Sequence, residues 1–210
     1  MEENKIIVAG IGPGAKSYIT PAALEKIQSA KFLVGGHRAL SEFAAPNQIT
    51  CAITKNLDAV INFIQEKIST AEVVVMVSGD PGYYSFLDSL RKNFEPSKIE
   101  VIPSISAMQL AFAKLALSWY SATLASFHGR RPSDGDLKFE RGKILGLLTD
   151  EKFNSATISE LLLNLGWDKN SNVAICARLS YPDEKIICTT LNEATNSEPV
   201  KNCILIVGKW

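Results

Sequence analysis

The sequence contains few cysteines and histidines, and their spacing does not suit a metal centre. No two cysteines form a C-x-x-C pair, and the chain has only two histidines. Structural zinc sites use closely spaced Cys and His ligands, and disulfide frameworks belong to short, cysteine-dense secreted chains. We therefore predict no bound metal and no disulfide framework, and we expect buried free thiols. The four cysteines are Cys51, Cys176, Cys188 and Cys203.

The chain also lacks an excess of charge and a long apolar segment. Lys+Arg and Asp+Glu both total 22, so the formal net charge is zero. A general nucleic-acid-binding protein is expected to be basic, and this balance disfavours such a partner. No run reaches the roughly 18 apolar residues of a membrane span. The polar start, "MEENK", has no secretory signal, and we expect a cytoplasmic protein.

What is present is a chain of 210 residues with ordinary globular composition. In the first half, strand-like segments alternate with helix-like segments, which is typical of a parallel sheet covered by helices. In the second half, strands outnumber helices, which predicts a mixed sheet. We therefore predict two α/β domains, residues 1–117 and 118–210. In the second domain we predict one clear helix from residue 155, capped by Asn154 or Ser155, and we assign residues 184–194 to a strand.

The first strand ends in a glycine-rich turn that matches a nucleotide-binding loop only loosely. Residues 10–15 fit the dinucleotide pattern G-x-G-x-x-A. The helix start signal, Thr20 followed by Pro21, comes about eight residues too late for helix N–H groups to meet a pyrophosphate. Pro13 removes a backbone donor, which also disfavours an ATP loop. A plain tight turn and a loop for another ligand remain as alternatives.

Two other strands end in turns of small residues. These turns are "SGDPGYYS" at 78–85 and "PSISAMQ" at 103–109. In an open parallel sheet, the carboxyl ends of the strands line the ligand crevice. We therefore predict that the three loops meet at one edge of the first sheet and form a ligand site there.

The order of these three segments resembles the tetrapyrrole methylases. These are S-adenosylmethionine-dependent enzymes of the cobalamin and sirohaem pathways, with a class III methyltransferase-like fold. Within the family, "SFHGRRP" and "LSYPDEKI" resemble the C5-methyltransferases of precorrin-6Y or cobalt-precorrin-7. The resemblance implies a homodimer that holds the methyl donor in a cleft formed by both domains. Because the sequence ends at Trp210 without a second methyltransferase domain, we expect a separate chain to perform C15 methylation and decarboxylation.

The resemblance also implies a set of residues that bind S-adenosylmethionine. They are Pro13, Ser78, Gly79, Asp80, Tyr83, Ser106, Ala107 and Leu148. Relatives often carry an acidic residue and a glycine where this chain has Ala177 and Leu179. This departure from the family pattern leaves donor contacts from that strand an open question.

The expected chemistry needs positioning, a proton acceptor and cations. Methyl transfer from a sulfonium to an electron-rich meso carbon is an in-line displacement, which positioning accelerates. His128 is the candidate base for a ring proton. A tetrapyrrole rich in carboxylates needs cations, and Arg binds carboxylates with two parallel hydrogen bonds. The predicted substrate-binding residues are Gly12, His37, Arg38, Arg130 and Arg131, with Lys16 as a weaker candidate. We place Lys16, His37 and Arg38 in turns of the first domain. The alternatives are a plain loop histidine and solvated surface cations.

Other functions stay open on the sequence alone. One is a different methylase of the same fold, acting on uroporphyrinogen, diphthine or ribosomal RNA. Another is a nicotinamide or ATP enzyme, and a third is a binding module without catalysis. The zero net charge disfavours RNA, and the late helix start disfavours a nucleotide enzyme.

Overall fold

A computed structural model describes residues 4–210, and the chain divides into two compact units. The first unit ends at Ser106 and the second begins at Ala107. The boundary predicted from the sequence lies after Leu117 instead. The difference is the helix Ala107–Lys114 (α5), which packs against the sheet of the second unit.

The first unit contains a five-stranded parallel sheet. The strands are β1 (Ile6–Gly10), β2 (Phe32–Gly35), β3 (Ile49–Ala52), β4 (Val73–Val77) and β5 (Ile99–Ile102), in the order β3-β2-β4-β1-β5. All four neighbouring pairs are parallel, as the sequence predicts. Every residue of β1 and β4 is buried, because helices cover both faces of the central strands.

Helices form an apolar layer on each face of this sheet. They are α1 (Pro21–Ser29), α2 (His37–Phe43), α3 (Leu57–Lys67) and α4 (Leu87–Asn93). Because side chains alternate along a strand, Ile6 and Val8 join the core cluster that includes residues of α3 and α4. Ile7 and Ala9 join the opposite cluster, which includes residues of α1 and α2. Short 3₁₀ helices occupy Lys16–Tyr18 and Pro96–Lys98.

The second unit contains a five-stranded mixed sheet. Its strands are β6 (Thr123–Ser126), β7 (Leu145–Leu148), β8 (Asn172–Ala177), β9 (Lys185–Thr190) and β10 (Ile204–Gly208), in the order β6-β7-β10-β8-β9. β6 and β7 are parallel, and the other three pairs are antiparallel. The predicted mixed sheet is therefore confirmed.

The helices of the second unit differ in part from the prediction. Besides α5 they are α6 (Asp134–Leu137), α7 (Ser155–Asn164) and α8 (Leu191–Asn196). Asn154, not Ser155, caps α7, because its side chain accepts from two backbone N–H groups. The strand predicted over 184–194 was wrong in its second half. A capping box of Thr190 and Glu193 begins α8 there.

Two of the four cysteines are buried free thiols, as the sequence predicts for all four. All four cysteines are free, and Cys176 and Cys203 are buried, but Cys188 is exposed and Cys51 is half-buried. Within residues 4–210, none of the helices combines the length and the apolar character needed to cross a membrane.

Candidate active site

Three loops of the first unit meet at one edge of its sheet. β4, β1 and β5 are adjacent and parallel, so the segments that follow them start side by side. We call these segments the first loop (residues 11–20), the second loop (residues 78–86) and the third loop (residues 103–106). Hydrogen bonds join all three, so their geometry is fixed collectively.

Two glycines connect the first loop to the second. Gly79 donates its N–H to the carbonyl of Gly12 at 2.8 Å, and Gly12 donates to the carbonyl of Gly79 at 3.4 Å. Their φ angles are +75° at Gly12 and +71° at Gly79, a region that residues with a Cβ rarely adopt. A Cβ at Gly12 would also lie 3.0 Å from the carbonyl oxygen of Tyr18. This junction therefore requires glycine on both sides.

The carboxylate of Asp80 connects the second loop to the third. Its Oδ1 accepts from the N–H of Gly82 at 2.9 Å, and its Oδ2 accepts from the N–H of Ser104 at 2.9 Å. The backbone carbonyl of Asp80 also accepts from the N–H of Tyr83 at 3.2 Å. Both carboxylate oxygens thus hold backbone in place. The structure gives Asp80 a role in shaping the loops, and a direct contact with a donor stays a prediction.

Two buried hydroxyl groups in this part of the first unit have no hydrogen-bond partner within residues 4–210. They are the Oη of Tyr83 and the Oγ of Ser104. Burial raises the pKa of the Tyr83 hydroxyl above its ordinary value of 10.0, so the group stays neutral and able to donate. Buried polar groups without partners are uncommon in native proteins and need an explanation. A ligand with polar atoms would supply the missing partners.

The first loop does not have the geometry of a phosphate loop. Thr20 caps α1, accepting from the N–H of Ala23 at 3.2 Å, and Pro21 is the first helical residue. The predicted late helix start is confirmed. Pro13 is half-buried in the loop. Lys16 donates to the carbonyl of Glu42 at 3.3 Å.

The other predicted residues of the first unit lie at the same edge. Ser78 is exposed directly after β4. His37 and Arg38 are exposed and open α2, whereas the sequence had placed them in a turn. Ser106 is buried at the end of the first unit, and Ala107 is the first residue of α5 in the second.

The second unit also carries its predicted residues at one edge of its sheet. β10 is antiparallel to both β7 and β8, and β6 is parallel to β7, so β6, β7 and β8 run in one direction. Their carboxyl ends place the segments after Ser126, Leu148 and Ala177 at the same edge.

Asp150 connects two of these segments in the way that Asp80 does in the first unit. Its Oδ1 accepts from the N–H groups of Lys152 at 2.9 Å and Phe153 at 2.7 Å. Its Oδ2 accepts from the N–H of Gly129, in the segment after β6, at 3.3 Å. The hydrogen bond from Phe153 is the main cause that lowers the pKa of Asp150 below its ordinary value. The carboxylate is therefore ionised at neutral pH.

The end of β7 is fixed by a buried threonine. The hydroxyl of Thr149 accepts from the N–H of Cys203 at 2.8 Å and donates to the carbonyl of Cys203 at 3.0 Å. This pair ties β7 to the start of β10 and sets the position of Leu148, which is half-buried.

The segment after β6 carries three exposed side chains that can carry charge. His128 donates its backbone N–H to the buried Oγ of Ser126 at 3.2 Å, while its ring is exposed. Arg131 is partly engaged, because its Nη2 lies 2.6 Å from the Oδ1 of Asp134. Arg130 is exposed next to both. The arrangement brings an imidazole and two guanidinium groups to one short segment.

Sequence reasoning missed Ser104, Thr149 and Asp150. The partners of Asp80 and Asp150 in a second segment, Ser104 and Gly129, lie 24 and 21 residues away, so a local pattern could not show these two bonds. The only available signal was an aspartate soon after a buried strand, at both positions.

Comparison with known proteins decides the family. A family model described as "Tetrapyrrole (Corrin/Porphyrin) Methylases" matches residues 5–195. The chain belongs to this family. It is a methyltransferase, as are its relatives.

Two relatives and one solved structure of a tetrapyrrole methylase are similar to this chain over most of their length. A probable cobalt-precorrin-7 C(5)-methyltransferase of Methanocaldococcus jannaschii is 30% identical, over 92% of both chains. A cobalt-precorrin-7 C(5)-methyltransferase of Salmonella typhimurium is 29% identical, over 97% of this chain and 99% of that one. A uroporphyrin-III C-methyltransferase of Thermus thermophilus, crystallised with S-adenosylhomocysteine, superposes with a TM-score of 0.75 at 20% identity, covering 98% of this chain and 92% of that one. This structural likeness shows the shared fold.

Proposed function

We propose that this chain transfers a methyl group from S-adenosylmethionine to C5 of a cobalamin-precursor tetrapyrrole, either cobalt-precorrin-7 or precorrin-6Y. The observation that carries the proposal is the 30% identity, over 92% of both chains, to the probable cobalt-precorrin-7 C(5)-methyltransferase of M. jannaschii. Chemical features of each unit support the donor and the acceptor separately.

The loops of the first unit suit S-adenosylmethionine as the methyl donor. The donor carries an amino-acid group, a ribose and an adenine, all rich in hydrogen-bonding atoms. The unpartnered hydroxyls of Tyr83 and Ser104 can pair with such atoms. Gly12 and Gly79 leave backbone without side chains close to the ligand. The relative of T. thermophilus was crystallised with the demethylated donor, which supports this assignment.

The same loops fit a nucleoside phosphate poorly. A phosphate site gains affinity from several backbone N–H groups and from a helix N-terminus. Here Pro13 has no N–H, and α1 begins only at Pro21. We therefore expect ATP and NADH to bind more weakly than S-adenosylmethionine.

The reaction moves one methyl group and one proton. A π-electron pair of the macrocycle forms the new C5–CH₃ bond while the S–CH₃ bond breaks, and its electrons remain on sulfur as a thioether. The macrocycle then releases a ring proton. His128 is the proposed acceptor, because its ring is exposed at the carboxyl end of β6 and imidazole titrates near neutral pH.

The acceptor's carboxylates require cations at the site. In the second unit Arg130 and Arg131 follow His128 directly, and in the first unit His37 and Arg38 lie exposed at the start of α2. Charge-assisted hydrogen bonds from Arg to carboxylate are stronger than neutral ones. We propose that these side chains hold acetate and propionate groups of the substrate.

Calorimetric titration with four ligands tests the donor, and mass spectrometry tests the transfer. We expect S-adenosylmethionine and S-adenosylhomocysteine to bind, and ATP and NADH not to bind. Incubation with S-adenosylmethionine and enzymatically prepared cobalt-precorrin-7 should add one methyl mass to the tetrapyrrole. Binding of ATP or NADH without S-adenosylhomocysteine would contradict the donor assignment. Donor binding with methylation of a different acceptor would contradict only the choice of substrate.

A further inference from the structure

The segment after β8 carries an arginine that the proposed function does not use. This segment, residues 178–184, connects β8 to β9, and we call it the 178–184 loop. It lies at the same edge of the second unit's sheet as the segments that carry His128 and Leu148, because β6, β7 and β8 run in one direction. The sequence departs from the family pattern here, at Ala177 and Leu179, and it gave Arg178 no role.

The backbone of the 178–184 loop is strained at two positions. Arg178 has a φ of +54° and Ser180 has a φ of +70°, and neither residue is glycine. Residues with a Cβ rarely adopt this left-handed region unless the surroundings enforce it, and such residues cluster at functional sites. Leu179, which stands between the two, is only 5% exposed and anchors the loop to the unit.

Hydrogen bonds enforce this conformation. Tyr181 donates its N–H to the carbonyl of Arg178 at 3.1 Å, and Glu184 donates to the carbonyl of Tyr181 at 3.0 Å. The carboxylate of Glu184 accepts from the N–H of Ser180 at 2.8 Å and pairs with Lys114 of α5 at 2.7 Å. The loop is therefore preorganised before any ligand binds.

Two contacts hold the guanidinium of Arg178: a hydrogen bond from its Nε and a cation–π contact with the ring of Tyr181. Its Nε donates to the Oδ2 of Asp183 at 2.9 Å, and its Cζ lies 4.4 Å from the ring centroid of Tyr181. The hydrogen bond from Arg178 holds the pKa of Asp183 below its ordinary value, so this pair persists at neutral pH. Within residues 4–210, the Nη1 and Nη2 groups have no hydrogen-bond partner, and 58% of the side chain is exposed.

We propose that Arg178 binds a carboxylate of the tetrapyrrole substrate through Nη1 and Nη2. The proposal rests on the proposed function, which supplies a substrate rich in acetate and propionate groups. The two terminal groups of a guanidinium match the two oxygens of a carboxylate. Fixing the guanidinium in advance lowers the entropy that is lost on binding. Arg131 is less suited, because its Nη2 already contacts Asp134 at 2.6 Å.

Two substitutions of Arg178 test the contribution of the guanidinium to binding without changing the conformation of the 178–184 loop. Arg178→Gly removes the side chain and suits a φ of +54°, so the loop should keep its shape. Arg178→Lys keeps the charge but loses the planar pair of donors. Arg141→Ala is the matched control. Arg141 is also exposed, but it precedes β7 and so lies at the opposite edge of the same sheet.

The measurement is fluorescence quenching of uroporphyrin I, a porphyrin with acetate and propionate groups on every ring, together with calorimetry of S-adenosylhomocysteine. We expect Arg178→Gly to bind the porphyrin about 10- to 150-fold more weakly than the wild type, as the loss of a charged hydrogen-bonding group predicts. Arg178→Lys should fall between the two, and Arg141→Ala should match the wild type. Affinity for S-adenosylhomocysteine should stay unchanged in all three variants.

Each other outcome has a definite meaning. Equal porphyrin binding by the wild type and Arg178→Gly overturns the proposal, and so does a parallel loss of S-adenosylhomocysteine affinity, which would assign Arg178 to the donor. A wild type that binds no porphyrin overturns both this proposal and the substrate class proposed above. Binding that depends on Arg178, in an enzyme that does not methylate C5, supports this proposal and contradicts only the proposed position of methylation.

Discussion

In both units an aspartate fixes the loops at one edge of the sheet, but the bond to the second loop is shorter in the first unit than in the second. In each unit an aspartate soon after a strand caps its own turn with one carboxylate oxygen and holds a second segment with the other. In the first unit Asp80 reaches the N–H of Ser104 at 2.9 Å. In the second unit Asp150 reaches the N–H of Gly129 at 3.3 Å. The first unit adds the paired backbone hydrogen bonds of Gly12 and Gly79, which we call the glycine bridge. The second unit adds the bond of Thr149 to the start of β10.

This difference fits the proposed function, in which the loops of the first unit bind the methyl donor and charged groups of the second unit bind the acceptor. The junction of the first unit is made of backbone, glycine and buried hydroxyls, which suits recognition of a ligand by shape and hydrogen bonding. The edge of the second unit carries exposed groups that can be charged, at His128, Arg130 and Arg178. These groups suit proton transfer and the binding of carboxylates.

The largest effect is expected from the glycine bridge of the first unit. Gly12→Val should abolish binding of S-adenosylhomocysteine and methyl transfer, because the φ of +75° and the carbonyl of Tyr18 leave no room for the side chain. The strain should lower the free energy of unfolding by about 1–3 kcal/mol. Calorimetry and urea unfolding measure the two effects.

Gly36→Ala is the control for this substitution. Gly36 has a φ of −63°, and a Cβ there would meet no atom within 4 Å. This variant should bind S-adenosylhomocysteine like the wild type. A folded Gly12→Val protein with unchanged affinity would show that the bridge does not shape the donor site.

A second large effect is expected at His128 in the second unit. His128→Gln should lower kcat about 100-fold or more if the imidazole accepts the ring proton, since general bases typically contribute 10²–10⁴-fold. Donor affinity should stay unchanged, because His128 is not among the residues predicted to bind the donor. Single-turnover kinetics and calorimetry separate the two quantities. An unchanged kcat would make His128 a plain loop residue.

The two aspartates should differ in their contribution to stability. Asp80→Asn places an amide N–H against a backbone N–H, at Gly82 or at Ser104, and should cost about 1–3 kcal/mol of unfolding free energy. Asp150→Asn should cost less, because its bond to Gly129 is longer. Urea unfolding of both variants gives the comparison. A larger loss in Asp150→Asn would reverse the ranking of the two junctions.

The smallest predicted effect is the pH dependence of the Asp150 contribution. Because hydrogen bonds lower the pKa of Asp150 in the folded state, its stabilisation is complete above the ordinary value of 3.8 and is lost as the pH falls further. The melting temperatures of wild type and Asp150→Asn should therefore differ at pH 7 and converge as the pH falls below the ordinary value of 3.8. Other carboxylates titrate equally in both proteins. A difference that stays constant with pH would refute this account.

The sequence predicted the central elements well and the edges poorly. The buried runs of β1 and β4 and the cap at Thr20 leave local signals, because burial and capping constrain neighbouring residues. The edge strand β3 was missed, since its four residues are exposed or half-buried and have no apolar alternation. α8 was assigned to a strand because Thr190 continues the β-branched run of β9. The bonds of Asp80 and Asp150 depend on loops that only the folded sheets bring together.

The position of the transferred methyl group tests the central claim most directly. The enzyme would be incubated with S-adenosylmethionine labelled with ¹³C in its methyl group and with cobalt-precorrin-7, and the product examined by NMR. The account predicts one new ¹³C methyl signal, coupled to the meso carbon C5. Label at another ring carbon, or transfer only to an acceptor that is not a tetrapyrrole, would contradict it.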